Sequence, residues 1–199
     1  ARVSLRINPD IDAQTHPYIS TGLKKNKFGI DIEQAINDYR RALDLPNLEV
    51  VGVACHIGSQ ITQVSPFVDA LQKLKELIDR LRDLGIQIRY LDLGGGLGIQ
   101  YHDEAPPHPD EYGQKLLEHL KGLQCTLILE PGRVLVGNAG ILVTKVLYTK
   151  VGGAKHFIIV DAGMNDLARP SLYGSYHGLW PVVEGAHPQV KASIVGPIC

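Results

Sequence analysis

Four short apolar runs alternate with amphipathic stretches over the first two thirds of this chain, and that alternation constrains its fold more than any other feature. The runs lie at residues 3–7, 50–56, 88–93 and 126–129. They are apolar nearly throughout, as strands covered on both faces must be. The stretches between them have helical period. Asp31 with Gln34 three residues on has capping-box spacing, and Ile32, Ala35, Ile36, Tyr39 and Leu43 form one stripe. Ser65-Pro66 reads as an N-cap followed by N1, ahead of the stripe Phe67, Leu71, Leu74, Ile78 and Leu81, and Gly85 sits where a helix closes. A third helix is predicted over residues 110–121. Strand and helix in this order give right-handed βαβ units and a parallel sheet. Two architectures fit, a small doubly wound sheet or part of an eight-stranded barrel.

The pattern changes near residue 138, which divides the chain into predicted domains 1–138 and 139–199. Residues 141–151 and 156–161 flank Gly152-Gly153 as an antiparallel hairpin, and a last strand is predicted at 190–195. The sequence of 199 residues holds 20 Lys plus Arg against 21 Asp plus Glu, a net charge of -1. Without a basic excess, nucleic acid is a poor partner. There is no apolar run of membrane-spanning length, so no membrane partner and a cytoplasmic location are expected. Cys55, Cys125 and Cys199 form no CxxC pair and read as free thiols. No HxH or HxxxH pair suggests a metal site.

Glycine makes up 21 of the 199 residues, above the average of about 7%. Much of it falls where chemistry gathers. The second run leads into His56-Ile57-Gly58-Ser59-Gln60, the third into Gly94-Gly95-Gly96-Leu97-Gly98, and the fourth into Glu130-Pro131-Gly132-Arg133. All three loops fall at the C-terminal edge of one parallel sheet, where barrel active sites form. The Gly94–Gly96 run suits either backbone N–H donation to a phosphate or a tight turn. It matches neither the dinucleotide GxGxxG nor the Walker pattern. Ser59 and the Gly132 and Arg133 amides are further donors to the same anion. Glu130, after an apolar run, needs a partner if buried: a protonated cofactor ring nitrogen or an arginine such as Arg133. His56 reads as a hydrogen-bonded core histidine or a catalyst.

Together these loops and Val160-Asp161-Ala162-Gly163-Met164-Asn165-Asp166 resemble, in order and spacing, the fold-type III pyridoxal-phosphate-dependent decarboxylases. Three features favour the branch acting on diaminopimelate over those acting on ornithine or arginine. They are His16-Pro17-Tyr18-Ile19-Ser20-Thr21-Gly22 followed by Lys27-Phe28-Gly29, Gln60, and Asp166-Leu167-Ala168-Arg169-Pro170-Ser171-Leu172-Tyr173.

The resemblance implies an α/β fold: strands five to eight of a (β/α)8 TIM-type barrel, then the start of a C-terminal antiparallel β-domain, a middle segment of a longer homodimeric enzyme. It implies pyridoxal 5'-phosphate as cofactor and decarboxylation of meso-2,6-diaminopimelate to L-lysine and CO2. By the same resemblance His56 stacks on the cofactor ring, and Ser59, Gly94, Gly95, Gly96, Gly132 and Arg133 bind its phosphate. Glu130 meets the ring nitrogen. Arg133, Arg169 and Tyr173 hold the far end of the amino-acid substrate, and Cys199 is the acid lent to a neighbouring subunit. The family's Schiff-base lysine stands in a Tyr-Ala-x-Lys context that does not occur here, so the segment is expected to be inactive alone. Another basic amino acid as substrate, or a catalytically dead regulatory paralogue, are the competing readings.

Overall fold

The computed structural model of the chain describes residues 1–13, 21–22, 27–186 and 190–198. The chain divides into two compact units, Ala1–Gln100 with Glu104–Ala139, and Tyr101–Asp103 with Gly140–Cys199.

The first unit is built on a parallel sheet of β1 (Arg2–Asn8), β2 (Ile30–Asp31), β3 (Glu49–Ala54), β4 (Tyr90–Asp92) and β5 (Thr126–Ile128), in the order β2-β1-β3-β4-β5. Each apolar run forms a strand, and three of the four strands stop short of the run's end. β3 ends at Ala54, leaving Cys55 and His56 to begin a loop. β2 pairs through Ile7↔Ile30 and Asn8↔Asp31 and, at two residues, has no apolar run of its own.

Three helices accompany the sheet: α1 (Ala35–Leu43), α2 (Ser65–Asp83) and α3 (Pro109–Leu120). All five residues of the predicted α2 stripe, from Phe67 to Leu81, are buried. Full burial of such a side chain contributes roughly 1.5–3 kcal/mol, so this stripe is a main source of the unit's stability. Phe67 meets Tyr112 of α3 edge-on with centroids 4.8 Å apart. Gly85, at φ +81°, closes α2: its N–H donates to the Arg82 carbonyl and that of Ile86 to Leu81, each at 2.9 Å. This is the Schellman arrangement, and it requires the left-handed residue.

The helix starts differ from expectation. Asp31 belongs to β2, its Oδ1 accepts from the Glu33 N–H at 3.0 Å, and its carbonyl accepts from Gln34. A turn therefore precedes α1, which begins at Ala35 without a side-chain cap. Ala42 is buried and Leu43 exposed. Val64 is the N-cap of α2, and Ser65 is already helical. Tyr39 anchors α1 to β3 by donating its hydroxyl to the Gly52 carbonyl at 2.8 Å.

The second unit holds β6 (Val146–Gly152), β7 (Lys155–Val160) and β8 (Ala192–Val195). β6 and β7 form the predicted antiparallel hairpin, turning at Gly153 with φ +60°. β8 adds to β7 in parallel, so the expected all-antiparallel arrangement is corrected to a mixed sheet. Residues 161–191 separate the two strands, ample for the crossover a parallel pair needs. Among the described residues there are two further short helices, α4 (Arg133–Val136) in the first unit and α5 (Arg169–Tyr173) in the second. Trp180 is 87% exposed. No helix among the described residues is long and apolar enough to cross a membrane.

Candidate functional site

The loops that follow β3, β4 and β5 are locked to one another by backbone hydrogen bonds. Cys55 N–H donates to Asp92 at 2.8 Å, Leu93 to Ile128 at 3.1 Å, Glu130 to Gly94 at 2.8 Å, and Ile61 to Gly96 at 2.9 Å. The approach is so close that side chains are excluded. A Cβ on Gly95 would lie 2.0 Å from the Glu130 carbonyl oxygen, and one on Gly96 2.1 Å from that of Gly58. The glycine run thus lets three loops cross at backbone distance, bringing His56, Ser59, Glu130, Gly132 and Arg133 to one end of the sheet.

The expected role of this run as a row of donors to an anion is corrected in part. The Gly94 N–H donates to Asp92 Oδ1 at 2.8 Å, because the carboxylate caps its own strand-end turn. The Gly95 N–H donates to His56 Nδ1 at 3.2 Å. The Gly96 N–H and the Ser59 hydroxyl make no hydrogen bond among the described residues. That pair is a donor set suited to a phosphate. Gly132 and Arg133 open α4, their carbonyls accepting from Leu135 at 3.0 Å and Gly137 at 2.7 Å. A Cβ on Gly132 would meet nothing within 4 Å.

His56 is half-buried. Burial and the Arg6 guanidinium hold its pKa below the ordinary histidine value, while Glu130 and Asp92 pull it back. With Nδ1 accepting from Gly95, the neutral ring bears its proton on Nε2. Its neighbour Cys55 is a buried thiol with a pKa pushed up to about 12, chiefly by desolvation, and is therefore not a nucleophile. Glu130 is exposed rather than buried, because β5 is the outer strand of the sheet. Exposed to water, Glu130 pays no burial penalty that demands a partner, although its charge is felt at His56.

Arg133 Nη1 donates to Gln60 Oε1 at 3.1 Å. Two other polar residues enter the site unannounced by sequence reasoning. Arg6, on β1 in register with Ala54, acts on His56 through its charge; the available signal was a cation in an apolar strand. Asp92 fixes the glycine loop by accepting from the Gly94 N–H. Among the described residues no group of three or more His, Cys, Asp or Glu is placed to hold a metal.

Arg169 and Tyr173 belong to the second unit, one turn apart on α5. The Arg169 guanidinium carbon lies 5.0 Å from the Tyr173 ring centroid, a cation–π contact. Arg169 Nε is buried without a hydrogen-bond partner among the described residues. The Val160–Asp166 motif builds turns. Asp161 Oδ1 accepts from Thr144 Oγ1 at 2.6 Å and the Lys145 N–H at 2.8 Å, which holds its pKa below the usual carboxylate range. Cys199 and most of the motif from His16 to Gly22 lie outside the described residues.

Residues 1–137 match the family model for the pyridoxal-dependent decarboxylase, pyridoxal binding domain. The chain is 56% identical to diaminopimelate decarboxylase of Pseudomonas aeruginosa and 52% identical to that of Aquifex aeolicus, in each case over 100% of this chain and 48% of the relative. A crystal structure of diaminopimelate decarboxylase from Helicobacter pylori complexed with L-lysine superposes with a TM-score of 0.93 at 46% identity, over 100% of this chain and 50% of the other. The chain thus spans about half the length of the curated relatives it matches. The expected middle segment is corrected to a stretch of that length lying largely in their pyridoxal-binding domain.

Proposed function

Given that the chain belongs to the pyridoxal-dependent decarboxylase family, we propose that it is part of an enzyme converting meso-2,6-diaminopimelate to L-lysine and CO2. The observation behind this reading is the likeness, over the whole chain, to the lysine-bound Helicobacter pylori structure. L-Lysine is the product of the proposed reaction. Strands β1, β3, β4 and β5 are read as strands five to eight of a (β/α)8 barrel over residues 1–138, and 139–199 as the start of a β-domain. The complete protein is proposed to be a cytoplasmic homodimer.

The residues present fit pyridoxal 5'-phosphate by their chemistry. The Gly96 N–H and the Ser59 hydroxyl are donors for its phosphate, with Gly132 and Arg133 on the neighbouring loop. The neutral His56 ring is a flat surface for an aromatic ring, and the exposed Glu130 carboxylate keeps a pyridine nitrogen protonated. When bound, the cofactor supplies the sink for the electron pair left as CO2 departs. The rest is work for the chain's own side chains. Arg133 offers a planar fork to a substrate carboxylate, and Arg169 and Tyr173 hold the substrate's distal amino-acid end. Cys199 is proposed to donate the proton that replaces the carboxylate.

The test is CO2 release by the complete protein from meso-diaminopimelate, L-ornithine, L-arginine and L-lysine in turn. The expected outcome is L-lysine formed from meso-diaminopimelate alone. Faster release from any other substrate overturns the assignment, and no release from any of them favours a binding paralogue.

A further inference from the structure

Of the motif from His16 to Gly22, the described residues Thr21 and Gly22 rest on the loop after β3. The Thr21 hydroxyl donates to the His56 carbonyl at 2.8 Å, and its N–H donates to the Ile57 carbonyl at 3.1 Å. One residue thus holds two successive carbonyls. β3 ends at Ala54, so the sheet ladder no longer sets the planes of these two peptides. Thr21 sets them instead.

The support behind Thr21 is itself braced. The Gly22 carbonyl accepts from the Ile11 N–H at 2.9 Å. A Cβ on Gly22 would lie 2.6 Å from the Ile11 carbonyl oxygen and 3.0 Å from the Ile57 Cβ, which leaves room for glycine alone. Just before Ile11, the Lys73 ammonium of α2 donates to the Pro9 carbonyl at 2.8 Å and to the Asp10 carbonyl at 3.1 Å. The chain on which Thr21 leans is therefore anchored to a helix of the core.

His56 is held at its ring end by another loop. Its Nδ1 accepts from the Gly95 N–H at 3.2 Å, and a Cβ on Gly94 would lie 2.8 Å from that nitrogen. One bond at a ring nitrogen still lets the ring tilt as the peptide behind it rolls. Fixing the carbonyl removes the roll.

We propose that Thr21 is a positioning residue that, through the His56 carbonyl, fixes the plane of the His56 ring against a bound aromatic cofactor. The inference rests on the reading of His56 as the surface on which the cofactor ring lies. Stacking depends on the angle and offset between two rings, so a wall oriented in advance binds better than one that must be ordered on binding. Threonine suits the task because its branched Cβ restricts the torsion that aims the hydroxyl. Serine keeps the donor, and valine keeps the shape without it.

The experiment compares the complete enzyme with Thr21→Val, Thr21→Ser, His56→Ala and the double variant Thr21→Val with His56→Ala. The readouts are the dissociation constant of pyridoxal 5'-phosphate from the apoenzyme by fluorescence, the visible circular dichroism of the bound cofactor, and thermal unfolding. Thr21→Val is expected to weaken cofactor binding about three- to tenfold, the reach of one hydrogen bond, and to reduce the dichroism. Thr21→Ser stays within about twofold of wild type. In the His56→Ala background the hydroxyl still meets the same carbonyl but no ring remains to be aimed. There Thr21→Val is expected to lower the unfolding temperature again yet leave the cofactor constant where His56→Ala put it.

A cofactor loss from Thr21→Val that persists in full in the His56→Ala background overturns the proposal, since the hydroxyl then acts on structure alone. So does a Thr21→Val enzyme that binds the cofactor within about twofold of wild type while His56→Ala does not, or a Thr21→Ser enzyme as weak as Thr21→Val. If Thr21→Val does not fold, Thr21→Ala takes its place in the same comparison. If His56→Ala itself changes neither the constant nor the dichroism, the reading of His56 has failed, and the proposal with it.

Discussion

The Gly95 N–H donates to Nδ1 of His56 at 3.2 Å, so the loop after β4 reads the protonation state of a side chain on the loop after β3. Protonating Nδ1 removes the acceptor and opposes a donor with a donor. Burial, then Arg6, already hold the histidine below its ordinary pKa. Because the folded value is depressed, the unfolded chain takes up the proton first as pH falls. Stability is therefore undiminished by this group above about pH 6.5 and declines below it, the slope with pH being positive in that window. NMR titration of the His56 Cε1 proton in the complete protein is expected to give a midpoint below that of a model histidine, rising in Arg6→Gln. A midpoint above the model value contradicts this account.

Two glycine-to-alanine substitutions are expected to have opposite signs. At Gly95 the added methyl would meet the Glu130 backbone carbonyl at 2.0 Å, a clash with main chain that no side-chain rotation relieves. Overpacking of this kind costs about 1–3 kcal/mol or more, and here it also pries apart the donor set around Ser59. At Gly113, inside α3, a Cβ meets nothing within 4 Å. Alanine there stabilises by about 0.5–1 kcal/mol through helix propensity. Urea unfolding of the two variants checks both signs. A neutral Gly95→Ala means that the loops are not in backbone contact in solution.

Leu74 lies on the middle of the α2 stripe and is fully buried. Leu74→Ala is expected to cost about 2–5 kcal/mol, the range for a buried leucine that leaves a cavity. The midpoint of denaturant unfolding measures it. Loss of less than about 1 kcal/mol means that α2 collapses onto the gap.

Why some of this was legible in the sequence and some was not has physical reasons. The parallel sheet could be read because strands covered on both faces must be apolar, and the α2 stripe because one face of a helix repeats every three to four residues. β2 could not, since two residues carry no period. Asp31 had the spacing of a capping box, yet β1 recruited it into a strand, a tertiary contact no local pattern encodes. The loops gathering at one sheet edge were readable from glycine placement. What each amide does there was not: Gly95 N–H goes to His56, a residue 39 positions away. Whether Glu130 is buried, and so in need of a partner, could not be read from the apolar residues before it, and the outermost strand leaves it exposed. Gln60 stood out in sequence only as a family mark, because its bonds reach Ile99 and Arg133 on two other loops.

The outer edge of β5 gives a last prediction. β4 pairs with one side of β5, and among the described residues no strand pairs with the other. Its apolar side chains are open, with Ile128 39% and Leu129 38% exposed. An unpaired apolar edge is a template for another chain, and an edge lysine is a common natural block to it. The 199-residue chain by itself is therefore expected to self-associate, and Ile128→Lys is expected to shift it toward monomer in sedimentation velocity at equal concentration. If residues 1–138 are the second half of a barrel, the same substitution in the complete protein has the opposite consequence. There position 128 is covered by neighbouring chain, and a buried unpaired lysine is strongly destabilising. A wild-type chain that stays monomeric removes the edge argument, and a complete protein indifferent to Ile128→Lys removes the barrel reading at this strand.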